Sequence, residues 1–391
     1  MNGIDLNIGF MALVDSAPVI VAQELGFAKQ EGLNLTLEKA PSWSTLRDML
    51  ALGRIEAAHM LAPVPIATSM GLSSGIKFDA LSVLSVNGTV IGVSTDLAQR
   101  MRDSGYTFDF TDAENAGRAL IAAATGKLRL GVPFPFSMHA ELLYYWLNAL
   151  GLPAPQSVEI HTVPPALMAE AIANGDIDAF CVGEPWGSIA VNNGVGELLI
   201  PGAAIWGFAP EKVLAARHDW VESEPELSKR LIRAVWRAGR WLDQPENHMT
   251  ASEILARPQY VNVPAEVIDR ALSGQIVING RGEERHRDDF VVFHRGAAGF
   301  PWASQSAWIA SQLASRLGLD RKTVGSSTRM IFRSDLYRAA LAGLAADLPS
   351  ASSKVEGLLD SRTPVSSESG KLYLEPGAFF DRRFFDPETV D

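Results

Sequence analysis

A single cysteine, Cys181, occurs among the 391 residues. The chain therefore forms no intramolecular disulfide, iron–sulfur cluster or cysteine-based zinc site. One thiol is compatible with a reducing compartment but does not require one. No apolar run reaches the ~18 residues that a membrane span needs. Positive charge is also scarce: 34 Lys and Arg stand against 45 Asp and Glu, a net −11 at pH 7. Such a chain gains little from phosphate neutralisation, so direct nucleic-acid binding is not expected. An anionic ligand would have to be held by local donors and helix ends, against the sign of the whole chain.

Motifs of catalysis are missing as well. There is no glycine-rich phosphate loop, no His-Glu-x-x-His and no Gly-x-Ser-x-Gly. The seven histidines are scattered, and His286 and His294 lie in Arg281–Arg295, which reads as a solvated run of alternating charges. Asp176 and Asp178 read as a turn and a strand edge, not as an acid/base pair. No catalytic residue, metal ligand or cofactor is expected. At the start, Met1-Asn2-Gly3-Ile4-Asp5 leads straight into Leu6–Phe10, with no basic region, long apolar region, Ala-x-Ala site or lipobox cysteine. The expectation is a chain that folds at once in the cytoplasm.

What is present suits a globular protein: 47% hydrophobic and 20% charged residues, with a length that fits two compact lobes. Strand candidates are Leu6–Phe10, Leu33–Leu37, Ala57–Leu61, Ile91–Ser94, Leu128–Val132, Val158–Val163, Ala179–Val182 and Val213–Ala216. Helix candidates between them are Pro18–Gly26, Ser44–Leu52, Pro63–Met70, His139–Leu150, Pro164–Asn174 and Pro185–Asn192. This alternation predicts an α/β fold with largely parallel sheets. Amphipathic helices follow near Glu224–Asp243 and Pro264–Leu272, and the final third reads as mainly helical, with Asp335–Leu348 one helix. After about Thr323 the composition changes, and Pro376–Phe385 reads as a strap on the protein's own surface.

An internal echo supports two lobes. Gly53-Arg54-Ile55-Glu56-Ala57-Ala58 reaches Pro63, and Gly175-Asp176-Ile177-Asp178-Ala179-Phe180 reaches Pro185, each ten positions after its glycine. Both read as helix, glycine cap, strand, then proline at a helix start. Residues 1–95 with 202–330 are expected to form lobe I, residues 96–201 lobe II, and residues 331–391 an extension packed on lobe I. Strand ends and helix starts then meet at one edge of each sheet, where open α/β sheets bind ligands. Asp15-Ser16-Ala17-Pro18, Pro41-Ser42-Trp43-Ser44-Thr45 and Phe134–His139 fall at such edges, and helix N-termini suit small anions.

Several segments resemble the nitrate- and bicarbonate-binding solute receptors of the NrtA/CmpA type. They are Phe10–Pro18, Ala179–Trp186 and Pro210–Leu214, supported by Trp43 with Arg47-Asp48, Ala62–Pro65, and His139 with Tyr145-Trp146-Leu147. The matches occur in family order. The resemblance implies a type II periplasmic-binding-protein-like fold whose lobes close on an oxyanion. It also implies ligand contacts at Trp43, His139, Lys212 and Thr89, with Asn87 the rival for the last. Bicarbonate-binding members place a carboxylate and calcium where Lys212 stands. Nitrate is a planar monovalent acceptor, so donors and one positive charge, with carboxylates kept away, would favour nitrate or nitrite over bicarbonate. Two departures, Met138 for a threonine and Thr89 for a glutamine, reduce the donor count.

Taken without the resemblance, Trp43 is a packing residue, His139 touches solvent and Lys212 is a strand-edge lysine facing water. Cys181 reads as a small strand residue and Glu184 as a helix-start carboxylate. Within the family the chain is most similar to the cytoplasmic NasS branch. That resemblance implies a nitrate or nitrite sensor holding a NasT-type RNA-binding antiterminator until ligand releases it. The alternatives are the substrate-binding component of an ABC-type nitrate transporter, a detached regulatory domain of a transporter ATPase, and a thiamine-pyrimidine-synthase-like enzyme. The single cysteine argues against the last.

Overall fold

The computed structural model describes residues 3–73, 75–320, 324, 328 and 330–389. Met1, Asn2 and Thr323, on which part of the sequence reading rests, lie outside them. Two sheets form two lobes. The first contains β1 (Ile4–Phe10), β2 (Leu33–Lys39), β3 (Ala57–Leu61), β4 (Phe78–Asn87), β10 (Pro210–Arg217) and β13 (Val291–Val292), in the order β13-β4-β10-β3-β1-β2. The second contains β5 (Thr89–Ser94), β6 (Arg129–Val132), β7 (Glu159–Thr162), β8 (Ala179–Gly183) and β9 (Gly196–Pro201), in the order β7-β6-β8-β5-β9. The expected two-lobed, periplasmic-binding-protein-like α/β fold is what the chain adopts.

Each sheet is only half parallel. β2-β1-β3 and β7-β6-β8 run parallel, whereas β10 is antiparallel to β3 and β4, and β5 is antiparallel to β8 and β9. The expectation of largely parallel sheets fails because the chain changes lobes through strands and not through helical crossovers. β4 passes into β5 across Gly88 alone, and Asn87 and Gly88 both have positive φ, 61° and 88°. The first crossover is therefore at Asn87–Gly88, not near residue 95, and Ile91–Ser94 belongs to lobe II. The second crossover lies between β9 and β10.

The internal echo is geometric. Gly53 and Gly175 both sit at left-handed φ (69° and 72°), following helices Trp43–Ala51 and Met168–Ala173 and preceding β3 and β8. β3 pairs with β1 and β10 as β8 pairs with β6 and β5. The helices Pro63–Ser69 and Trp186–Asn192 follow. β4 and β9 were not expected from the sequence. β4 is buried along all ten residues, so its serines and Asp79 interrupt the apolar run that marks a buried strand.

The last third is helical only as far as Leu341. The helices Pro225–Leu242, Ala265–Ser273, Ala303–Leu317 and Ser334–Leu341 give way to an irregular strap with a short ladder, Thr363–Pro364 against Tyr373–Leu374. Arg281–Asp289 is solvated or half-buried as expected, but Phe290–Phe293 is buried and supplies β13. The strap also exceeds its expected place on lobe I. Phe379 packs among Trp206, Trp308 and Tyr145, and Tyr145 Oη donates to Asp381 Oδ1 at 2.9 Å. Tyr145 belongs to the lobe II helix Met138–Ala149, so the strap ties the two lobes together.

Phe379 is 2% exposed. Its replacement by alanine should cost about 3–5 kcal/mol, the usual range for emptying a buried aromatic site. Urea unfolding measures this, and a loss below about 1 kcal/mol would show that the strap contributes little to the fold.

Candidate functional site

The facing edges of the sheets gather a buried charged cluster. The turn after β1 carries Asp15, and β3 carries His59. β10 enters antiparallel to β3, so its first residues, Glu211 and Lys212, lie beside the C-terminal end of β3, with Lys212 opposite Leu61. Ser42 accepts a hydrogen bond from Thr45 N at 3.1 Å and starts the helix that holds Trp43. Across the cleft, Ser137 accepts from Ala140 N at 3.2 Å and starts the helix that holds His139. These N-caps fix both aromatic side chains at the edge where they are used.

Lys212 is the centre. Its Nζ donates to Asp15 Oδ2 at 2.7 Å and to Glu211 Oε1 at 2.9 Å. It also lies 5.5 Å from the centre of the Trp43 ring. Successive strand residues normally face opposite ways, yet Glu211 and Lys212 meet. The β10–β4 register shifts on both sides of Lys212, and such irregularities re-aim side chains. Lys212 is fully buried, which overturns the reading of a strand-edge lysine facing water. His139 is likewise fully buried and Trp43 nearly so.

The network fixes protonation states. Met11 N donates to His59 Nδ1 at 3.4 Å, so His59 Nε2 carries the proton that it gives to Asp15 Oδ1 at 2.9 Å. Burial pushes the His59 pKa down more than Asp15 raises it, keeping the ring neutral. Burial pushes the Asp15 carboxyl up, but Lys212 and His59 outweigh it and hold the group ionised, well below the usual range. Lys212 loses by burial and gains more from Asp15 and Glu211, so it stays charged. Glu211 goes the other way: burial pushes it up to about 7 against the pull of Lys212. His139 is pushed well down by burial and then by Lys212. Its Nδ1 lies 3.2 Å from Glu211 Oε1, without the alignment of a hydrogen bond.

The structure brings Trp43, His139 and Lys212 to one cleft, and several polar atoms there are unused. Trp43 Nε1, both ring nitrogens of His139 and Ser85 Oγ are buried without a hydrogen-bond partner; Ser85 stands opposite Lys212 on β4. The Thr89 hydroxyl has the Cys181 thiol as a neighbour and otherwise no partner. Gly202 packs against this hydroxyl: a Cβ there would collide with Thr89 Oγ1. Asn87 is committed elsewhere. Its Nδ2 donates to Gly207 O and Asp289 O at 2.9 and 3.0 Å, and its Oδ1 accepts from Ala209 N at 3.1 Å. Of the two rivals, Thr89 has a hydroxyl engaged only by the Cys181 thiol, while Asn87 locks the crossover.

Sequence reasoning missed the carboxylates. It expected them to be kept away; Asp15 and Glu211 overturn that. Asp15, Glu211 and the Asp15 partner His59 were visible as residues, the first two inside quoted segments, but no spacing rule joins positions 15, 59 and 211. Cys181 and Glu184 behave as expected: Cys181 is a buried strand residue, and Glu184 Oε2 accepts from Ser188 N at 3.1 Å near a helix start.

The cleft is closed. Val14 N donates to Glu184 O at 2.8 Å and Trp186 Nε1 to Ala12 O at 2.9 Å, both across the lobes. Gly183 makes the approach possible: a Cβ there would lie 2.8 Å from Leu13 Cδ2, 3.5 Å from Asp15 Oδ2 and 3.7 Å from His139 Nε2. A surface cavity of about 780 Å³ lies elsewhere, between Trp236, His294 and the C-terminal strap, and none of the cleft residues lines it. Among the described residues, Asp79, His218 and Glu222 have metal-ligand spacing. Arg333 already fills that group, at 2.7 Å from Asp79 and 2.8 Å from Glu222. No described helix is long and apolar enough to cross a membrane.

Replacing Lys212 by methionine leaves Asp15 and Glu211 buried without their cation. The expected loss is about 3–5 kcal/mol, typical of breaking a buried pair by removing one partner. Both carboxyls then favour their protonated forms in the fold, so the deficit should be largest near pH 8 and shrink toward pH 5. Urea unfolding of both proteins across this range checks the sign, and a pH-independent deficit would contradict it.

Comparison with known proteins follows the same lines. The profile of the NMT1-like family matches residues 2–256. The nitrate/nitrite binding protein NrtA of Nostoc sp. (strain PCC 7120) is 30% identical over 394 residues, covering 98% of this chain and 83% of the relative. The nitrate import ATP-binding protein NrtC of Synechococcus elongatus is 33% identical over 374 residues, covering 95% of this chain but only 55% of the relative. The crystal structure of the periplasmic nitrate-binding protein NrtA from Synechocystis PCC 6803 has a TM-score of 0.83 at 28% identity, over 99% of this chain and 96% of that one.

Proposed function

This chain belongs to the NMT1-like family, with the NrtA/CmpA-type nitrate- and bicarbonate-binding proteins, and on that premise we propose that it is a receptor for nitrate or nitrite. NrtA of Nostoc and the crystallised NrtA of Synechocystis carry the names of binding proteins, and we read this chain as a binder of the same kind. The observation that carries the reading is the set of buried, unused donors from both lobes around Lys212: Trp43 Nε1 and Ser85 Oγ from one, His139 from the other. A flat oxyanion accepts in its own plane, and donors that converge from two sides suit it. Leaving such donors buried and unpaired costs free energy that a bound acceptor recovers.

Closure is the response. An anion bridging His139 and the Lys212 group interacts with both lobes only when they meet, so it shifts the open–closed equilibrium toward the closed form. Delivery of the anion to an ABC-type nitrate transporter is the role that the relatives favour. In the other role, a cytoplasmic sensor, the same closure would release a NasT-type antiterminator, because a partner that prefers the open form is excluded reciprocally.

Titration calorimetry with nitrate, nitrite, bicarbonate plus calcium, and sulfate tests the ligand. Nitrate or nitrite should bind, and His139→Ala should weaken binding by about 1.5–3 kcal/mol, the value of a hydrogen bond to a charged group. An unchanged dissociation constant would remove His139 from the site. Mixing the chain with a NasT-type protein separates the two roles. A complex that nitrate dissolves supports the sensor, and no complex with or without nitrate supports the transport receptor.

A further inference from the structure

The cleft is poorly matched in charge to a bare anion. Lys212 contributes one positive charge, already shared by Asp15 and Glu211. The other groups facing Glu211 add none. Asp15 is an anion on the turn after β1, His139 is a neutral ring on the lobe II helix, and Cys181 is a neutral thiol on β8. His59, on β3, is neutral and reaches the cluster only through Asp15. With Glu211 ionised the cluster already holds an excess negative charge, and it is closed to water. Glu211 Oε1 lies 2.9 Å from Lys212 Nζ and 3.2 Å from His139 Nδ1. An anion held by the lysine and the imidazole therefore sits against this carboxyl group.

We propose that nitrate or nitrite enters together with one proton, which Glu211 takes from solvent, so that its carboxyl becomes a donor to the anion. The inference rests on the nitrate reading above. The balance is simple: the carboxylate, one proton and the anion give the carboxylic acid hydrogen-bonded to the anion, and no bond within the anion changes. Burial that already lifts the Glu211 carboxyl to about 7 makes the uptake easy near neutrality, and a neighbouring anion raises it further. Bicarbonate differs because it carries its own proton, for which an ionised Glu211 is the acceptor. Glu211 is thereby a specificity residue: its protonated form suits nitrate and its ionised form suits bicarbonate.

The sign follows from linkage. Above pH 7 the complex holds more protons than the free receptor, so nitrate affinity falls as pH rises, by up to about tenfold per unit, and levels off below about pH 6. Calorimetry of the full chain with nitrate at pH 6, 7 and 8, in phosphate and in Tris, counts the protons from the difference in heat. The expected uptake climbs from near zero at pH 6 toward one at pH 8. Glu211→Gln, which keeps a donor but cannot titrate, should abolish the uptake and flatten the pH profile. Bicarbonate should bring no uptake. Equal heats in the two buffers at pH 8, or unchanged uptake in the variant, would overturn the proposal while leaving nitrate binding intact. No heat with nitrate at any pH would overturn the receptor reading and this inference together. Should the variant not fold, the buffer comparison on the native chain decides alone.

Discussion

The arrangement depends on one buried ammonium group shared by two carboxylates. Lys212 is shut off from bulk solvent, and Asp15 and Glu211 keep it charged, while it in turn keeps Asp15 ionised. In a low-dielectric cleft such a group is stable only as a set, because any member left alone carries the full desolvation cost. This explains why the sequence commits three separate elements to it: the turn after β1, the end of β3 and the first residues of β10. It also explains the irregular β10–β4 register, which lets two neighbouring strand residues reach one point.

The two lobes reach that set differently. Lobe I supplies all the permanent charge, while lobe II supplies His139, the Thr89 hydroxyl and the bare backbone of Gly183. An uncharged face can separate from the cluster and return without breaking an ion pair. The crossover at Asn87–Gly88 is the complementary rigid part. Asn87 holds a left-handed backbone with three hydrogen bonds that pin the first crossover. Tyr145 and Asp381 then connect the strap to the helix that begins with His139, which places the C-terminal segment in mechanical series with the cleft.

Much of the fold was legible because it is written in local signals. Ala57–Leu61 and Ala179–Val182 stand out as short apolar runs after a glycine cap, and the ten-residue echo placed them in equivalent positions. What stayed hidden depends on tertiary pairing. β4 carries serines and an aspartate on a fully buried strand, which mimics no simple period, and lobe membership of Ile91–Ser94 is decided by its partners β8 and β9. The same division holds at the site. Trp43, His139 and Lys212 could be singled out through family resemblance. Asp15, His59 and Ser85 become neighbours of Lys212 only once β1, β3, β4 and β10 are assembled. Glu211 was overlooked for a different reason: adjacent strand residues normally diverge, and the register shift that prevents this leaves no mark in the sequence.

For an anion receptor of net charge −11, the simple expectation is a positive cleft. This one keeps it near neutral. A free lysine would attract any anion, including divalent ones, and would discriminate poorly. Balancing Lys212 with Asp15 removes that indiscriminate pull and leaves recognition to the donors of Trp43, Ser85 and His139, whose number and directions are fixed. A divalent oxyanion then brings a second charge that nothing in the cleft offsets, whereas a monovalent one needs only the carboxyl at Glu211 to be neutral. On the proposed reading, selectivity for single charge would arise from cancelling the lysine and not from adding to it.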